Sequence, residues 1–160
     1  MIVNGVLHNE SSMAELGALL AKHIKAGDVI FLHGQLGAGK TTLTRGLLQN
    51  LGYSGVVSSP TYAMVEEYSL SQYDLYHFDG YRIHDEEEWL QMGIEDYLHE
   101  AAVCVIEWPE SGMAILPKPT LSITIVVIPE NNMRGIAIES STGGQDRLLV
   151  TVEEFFKCQS

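Results

Sequence analysis

Apolar residues recur along this chain in two rhythms. Leu16, Leu19, Leu20 and Ile24 are spaced for one face of a helix, which predicts a helix over Ser11–Lys25, opened by a Ser12-Met13-Ala14-Glu15 capping box and broken at Gly27-Asp28. Val29–His33 is a continuous apolar run that ends in glycines, the pattern of a strand buried on both faces. Leu43, Leu47, Leu48 and Leu51 return to helical spacing and predict a helix over Thr41–Leu51, with Gly52 as its C-terminal stop. Met1–Leu7, Ala63–Leu70 and Tyr73–Phe78 read as strands. Ala101–Ile106 is a second fully apolar run that stops at Glu107-Trp108-Pro109. A short acidic helix is predicted over Asp85–Leu90, with Trp89 and Leu90 packed inward. Leu121–Ile128 and Arg134–Glu139 read as late antiparallel strands, and Leu149–Phe156 fits either a strand or a helix.

Strands alternate with helices at first and dominate later. The expected fold is therefore α/β: a three-layer domain with a mixed sheet, parallel core strands and late antiparallel strands. No repeat, low-complexity tract or linker divides the 160 residues, so residues 1–160 are expected to form a single domain.

One turn between these elements carries chemistry. Gly34-Gln35-Leu36-Gly37-Ala38-Gly39-Lys40-Thr41 satisfies G-x-x-x-x-G-K-[ST] in full, between a buried strand and an amphipathic helix. In that setting glycines let successive backbone N–H groups point at phosphates, and the helix N-terminus adds partial positive charge. Lys40 would reach the β- and γ-phosphates, and the Thr41 hydroxyl would ligate Mg²⁺. Glu107, at the end of the second apolar run, is the expected carboxylate beside that metal. Ser58-Ser59-Pro60-Thr61-Tyr62 lies where a switch loop would follow the helix. Asp79-Gly80-Tyr81-Arg82 sits at another strand end, where Asp79 can orient an attacking water and Arg82 can neutralise charge or pair with an acid. His33, Trp89 and Trp108 read as packing residues, and Glu86–Glu88 as a solvated helix face.

Charge narrows the partners. Nine Lys and Arg against 21 Asp and Glu leave a formal charge of −12, which disfavours autonomous nucleic-acid binding and either permits a basic protein partner or only keeps the domain soluble. Cys104 and Cys158 cannot build a disulfide framework, no signal peptide is read, and no apolar stretch is long enough to span a bilayer; a cytoplasmic domain without membrane contact is expected.

Gly34–Thr42, Ser59-Pro60-Thr61-Tyr62, Asp79-x-Tyr81-Arg82 and Ile106-Glu107-Trp108 occur in the order and spacing of the TsaE (YjeE) family of small bacterial P-loop ATPases, and the chain resembles that family from Asn9 to Glu139. The resemblance implies an ATPase that uses ATP and Mg²⁺ and acts with TsaB and TsaD type proteins in forming threonylcarbamoyladenosine on tRNAs that read ANN codons. It implies contact with tRNA only through that complex. By the same resemblance Thr41 and Glu107 are metal-site residues, Thr61 is the switch threonine, Asp79 is needed for activity, and Lys40 serves both binding and catalysis. Gly37, Ala38, Gly39, Lys40, Thr41 and Thr42 hold the phosphates, while Asn9, with Ser11 and Ser12 as alternatives, and Arg134 are placed on the adenine side. Gly80 stands where the family more often has leucine, which is expected to loosen the turn after Asp79. Two other readings share the P-loop. A small-molecule kinase would need more arginines than Arg45, Arg82, Arg134 and Arg147, and a nucleotide-controlled switch would need no hydrolysis.

Overall fold

A computed structural model describes residues 1–141 and 143–159. Seven strands, β1 (Ile2–Leu7), β2 (Val29–Gly34), β3 (Val65–Ser69), β4 (Asp74–Asp79), β5 (Ala102–Glu107), β6 (Leu121–Ile128) and β7 (Met133–Ser140), form one sheet in the order β1-β7-β6-β2-β5-β4-β3. The inner strands β6, β2, β5 and β4 are mutually parallel, while β7 and β1 on one side and β3 on the other run antiparallel to their neighbours. β6 thus has two relations: it is antiparallel to β7, as expected, and parallel to β2.

Alternation along the strands divides the core in two. Ile30, Leu32, Val103, Val105, Ile123 and Ile138 meet α1 (Glu10–Ala21), α2 (Lys40–Asn50) and α5 (Asp146–Cys158) on one face. Phe31, Phe78, Cys104 and Ile106 meet α3 (Glu86–Gln91), α4 (Ile94–Tyr97) and the segment around Leu116 on the other. The result is three layers. The second helical layer is short and leaves the outer face of β1, β7 and β6 open, where Ile2 and Val126 are exposed.

The helix ends differ from expectation in instructive ways. α1 starts earlier than predicted, and its cap is not Ser12: Asn9 is extended and its Oδ1 accepts from the Ser12 N–H at 2.9 Å and from the Ser12 hydroxyl at 3.0 Å. The helix stops at Ala21, because beyond it the Lys25 N–H goes to the buried Asp28 carboxylate at 2.9 Å. α3 does carry an aspartate cap, Asp85 Oδ1 accepting from Glu88 N–H at 2.9 Å. Trp89 is fully buried, but Leu90 is exposed, since adjacent helical residues point about 100° apart. Leu148, Leu149, Val152 and Phe156 are buried at helical spacing, which settles the ambiguous last element as α5. α1 and α2 meet backbone to backbone: a Cβ on Gly17 would come 2.4 Å from Leu43 O, and one on Gly46 would come 2.3 Å from Ala14 O.

Candidate nucleotide site

The C-terminal ends of β2, β4 and β5 open into a cleft of about 610 Å³. Between β2 and α2 the chain makes the turn that the glycine pattern calls for. Gly37 and Gly39 take φ +77° and +118°, a region that side-chain-bearing residues rarely adopt, so the backbone can curl into a nest there. α2 then starts at Lys40 with its first N–H groups directed into the cleft and no side chain capping them.

Lys40 is buried, and its ammonium donates to Gly34 O and, at 3.3 Å, to Gln35 O. The same Nζ stands 4.5 Å from the centre of the Trp108 ring. Burial pulls the Lys40 pKa below its ordinary 10.5, opposed by the charges of Glu107, Asp79 and Glu110. A phosphate would offer this ammonium a fuller set of acceptors than the two carbonyls it now holds.

The two carboxylates arrive by strand register. Asp79 ends β4, Glu107 ends β5, and the two are paired positions on adjacent parallel strands. Both are buried and both line the cleft. Asp79 Oδ1 accepts from Tyr81 N–H at 2.9 Å, and the Asp79 N–H donates to Met64 O at 2.9 Å, which ties the Ser59–Met64 loop to the site. Gly80 tightens this turn, contrary to expectation. Its N–H donates to Glu107 O at 2.8 Å, and a Cβ would lie 2.2 Å from Trp108 O and 2.5 Å from the Trp89 ring, so no larger side chain fits.

Glu107 sits against β4. Its Oε2 is 2.9 Å from Nε2 of the fully buried His77, yet the two are misaligned for a hydrogen bond, and among the described residues Oε2, a buried carboxylate oxygen, has no hydrogen-bond partner. Magnesium is a hard cation that takes oxygen ligands. An underused carboxylate and the Thr41 hydroxyl in one cleft are a donor set that fits it.

The other sequence candidates fall as follows. Gly37, Ala38, Gly39, Thr41 and Thr42 line the cleft, as does Thr61, whose hydroxyl is 2.7 Å from that of Ser59. Asn9 lines it too, while its side chain caps α1; Ser12 is buried in that cap, and neither Ser11 nor Ser12 borders the cleft. Arg134 borders the cleft with its guanidinium on the P-loop itself, Nε donating to Ala38 O at 2.8 Å. Arg82 is exposed and lies over the Tyr62 ring at 4.8 Å, so it pairs with an aromatic face where an acid or a phosphate was expected. Trp108 was expected only to pack; it lies between Lys40 and Tyr81, whose ring centre is 5.2 Å away, at a left-handed φ of 52°. His8, Glu10, Met13, Leu36 and Asn132 also line the cleft, and His77 stands behind Glu107; none of these was singled out. For Trp108 the signal was present, since it directly follows the metal-site candidate at a strand end.

Comparison with known proteins agrees with this geometry. The family model described as "Threonylcarbamoyl adenosine biosynthesis protein TsaE" matches residues 7–135. The chain is 47% identical over 122 residues to the tRNA threonylcarbamoyladenosine biosynthesis protein TsaE of Haemophilus influenzae, covering 73% of this chain and 77% of that one. It is 40% identical over 117 residues to the Bacillus subtilis protein of the same name, covering 73% of each. The crystal structure of YdiB from Bacillus subtilis superposes with a TM-score of 0.78 at 29% identity, covering all of this chain and 97% of the other. With its P-loop NTPase-like site and a match of this extent, the chain belongs to the TsaE family, whose role is in tRNA threonylcarbamoyladenosine biosynthesis.

Proposed function

We propose that this protein is a Mg²⁺-dependent ATPase that supports TsaB and TsaD type proteins in forming threonylcarbamoyladenosine on tRNAs that read ANN codons. One arrangement carries the reading: Lys40 and Thr41 at the start of α2 share a cleft with two buried carboxylates, Asp79 and Glu107, in matched register. The loop amides and Lys40 bind and polarise the β- and γ-phosphates. Thr41 and Glu107 would hold Mg²⁺, which supplies charge neutralisation across the phosphates when bound. Asp79 orients a water towards the γ-phosphorus, with Thr61 beside it on the adjacent loop. Water attacks, the bond to the β–γ bridging oxygen breaks, and ADP and phosphate leave.

The mouth of the cleft supports a protein partner. Leu36 lines it and is 63% exposed. Tyr62, next to the cleft residue Thr61, and Tyr81, in ring contact with the cleft residue Trp108, are exposed at 85% and 48%, apolar surface of the kind a partner covers. Turnover is therefore expected to be slow alone and to rise when partners close the site.

Mg²⁺-dependent ATP hydrolysis, measured alone and with TsaB and TsaD type partners, tests this. Stimulation that Asp79→Ala abolishes while ATP still binds is the expected result. ATP binding without stimulated hydrolysis would replace the ATPase with a nucleotide switch, and absence of binding would overturn the reading.

A further inference from the structure

His77 is polar, wholly buried, and used by nothing described so far. It lies on β4 two residues before Asp79, paired across to Val105 on β5. Strand alternation puts its side chain on the same sheet face as Asp79 and Glu107. Among the described residues none meets hydrogen-bond geometry with Nδ1 or Nε2. Burying such unsatisfied atoms is destabilising, a cost a leucine at this position would not carry. Glu107 Oε2 lies 2.9 Å from Nε2 and is itself unsatisfied among the described residues.

Resting on the Mg²⁺-ATP reading above, we infer that His77 is a positioning residue for Glu107: its Nε2–H holds one carboxylate oxygen from behind, so that the other is presented to the metal. The terminal torsion of a glutamate is soft, and a modest turn of the carboxylate aligns Oε2 with the imidazole N–H. With Oε2 engaged, Oε1 is left towards the cleft that Glu107 lines. Groups that hold a metal ligand from behind typically contribute 10–100-fold in metal affinity. Nothing in this role touches the nucleotide.

Metal binding separates that role from mere filling of the core. Mn²⁺ stands in for Mg²⁺, read by electron paramagnetic resonance with a non-hydrolysable ATP analogue bound; affinity for the analogue without metal is read separately by fluorescence. His77→Leu is expected to lose about 10–100-fold in Mn²⁺ affinity while analogue affinity without metal holds. His77→Gln, whose amide nitrogen reaches the place of Nε2, restores most of the loss; His77→Asn, with a shorter reach nearer Nδ1, does not. Wild-type Mn²⁺ affinity in His77→Leu, or a His77→Gln variant as weak as His77→Asn, would overturn the inference and leave the nucleotide reading intact. Should the leucine variant not fold, the Gln and Asn pair decides alone. Failure of the wild-type protein to bind Mn²⁺ with the analogue would overturn both.

Discussion

Asp79 and Glu107 stand side by side at the ends of two parallel strands, in register, with the ammonium of Lys40 as the nearby positive charge that opposes both. Adjacent strands are about 4.8 Å apart, so two buried carboxylates in this arrangement repel unless counter-charge is close. Lys40 supplies part of it, and a divalent cation would supply more. The pair also has divided roles, because Glu107 lies beside His77 while Asp79 is turned into its own loop through Tyr81.

That division predicts different failures. Glu107→Gln should keep metal-free ATP binding and lose the gain that Mg²⁺ brings. Asp79→Asn should keep Mg²⁺-ATP binding and lose about 10²–10⁴-fold in stimulated turnover. Calorimetric titration with and without Mg²⁺, alongside phosphate release, distinguishes them; identical defects in both variants would contradict the assignment.

Arg134 reaches across from β7 to hold Ala38 O at 2.8 Å, so it braces the phosphate loop from the side. Arg134→Ala removes a charge-assisted hydrogen bond of about 1.5–3 kcal/mol. ATP affinity should fall about tenfold or more, with increased amide exchange at Gly37–Gly39. Arg134→Lys should not restore it, since an ammonium cannot reproduce the planar guanidinium fork that reaches both the loop and Asn132.

A Cβ on Gly46 would come only 2.3 Å from Ala14 O, so there is no room for one. In an isolated helix Gly→Ala gains about 1 kcal/mol. Here the methyl would push α2 off α1, and Gly46→Ala should instead destabilise by about 1–3 kcal/mol. Thermal unfolding would show this as a midpoint drop of about 2–4 °C per kcal/mol. A raised midpoint would mean that the helices slide apart without penalty.

Burial pushes the Cys104 thiol up to about 12 from 9.0, while Cys158 is exposed. A group whose folded pKa is raised contributes stability that is present in full below its unfolded value and lost as pH climbs through the folded one. Cys104 should therefore weaken the fold only between about pH 9 and 12. Under native conditions a thiol reagent should titrate one cysteine at neutral pH and both after denaturation. Two fast native thiols would contradict the burial of Cys104.

A formal charge of −12 leaves little to neutralise a phosphate backbone. Filter binding at physiological salt should show no sub-micromolar affinity of the isolated protein for tRNA. Tight binding without partners would refute the expectation that tRNA is met only through them.

What could be read in advance was local. The loop from Gly34 to Thr41 is legible because its chemistry lies in eight consecutive residues, and β2 and β5 because unbroken apolar runs mark strands buried on both faces. The His77–Glu107 contact was hidden because it depends on the register between β4 and β5, which neither segment encodes alone. Gly80 was misread for a similar reason: its tightness comes from Trp89, beyond the next turn, and from Trp108 at the following strand's end, neither of them a sequence neighbour. Val150, Thr151 and Val152 masked α5, since β-branched residues favour strands until a helical face finds its packing surface.

The site's walls come from opposite ends of the chain. β1 has β7 as its strand partner, Leu7 meeting Arg134, and Phe156 of α5 fills the space that Gly5 leaves open. Asn9 follows β1 directly, and Arg134 begins that distant pairing. During synthesis the ribosome delivers the phosphate loop long before residues 134–139 exist, so the first strand must wait unpaired for most of translation. Such a high-separation contact is slow to form. A nascent chain stalled before β7 would therefore carry the complete ATP motif and still lack its Arg134 brace, so full nucleotide affinity has to wait for β7.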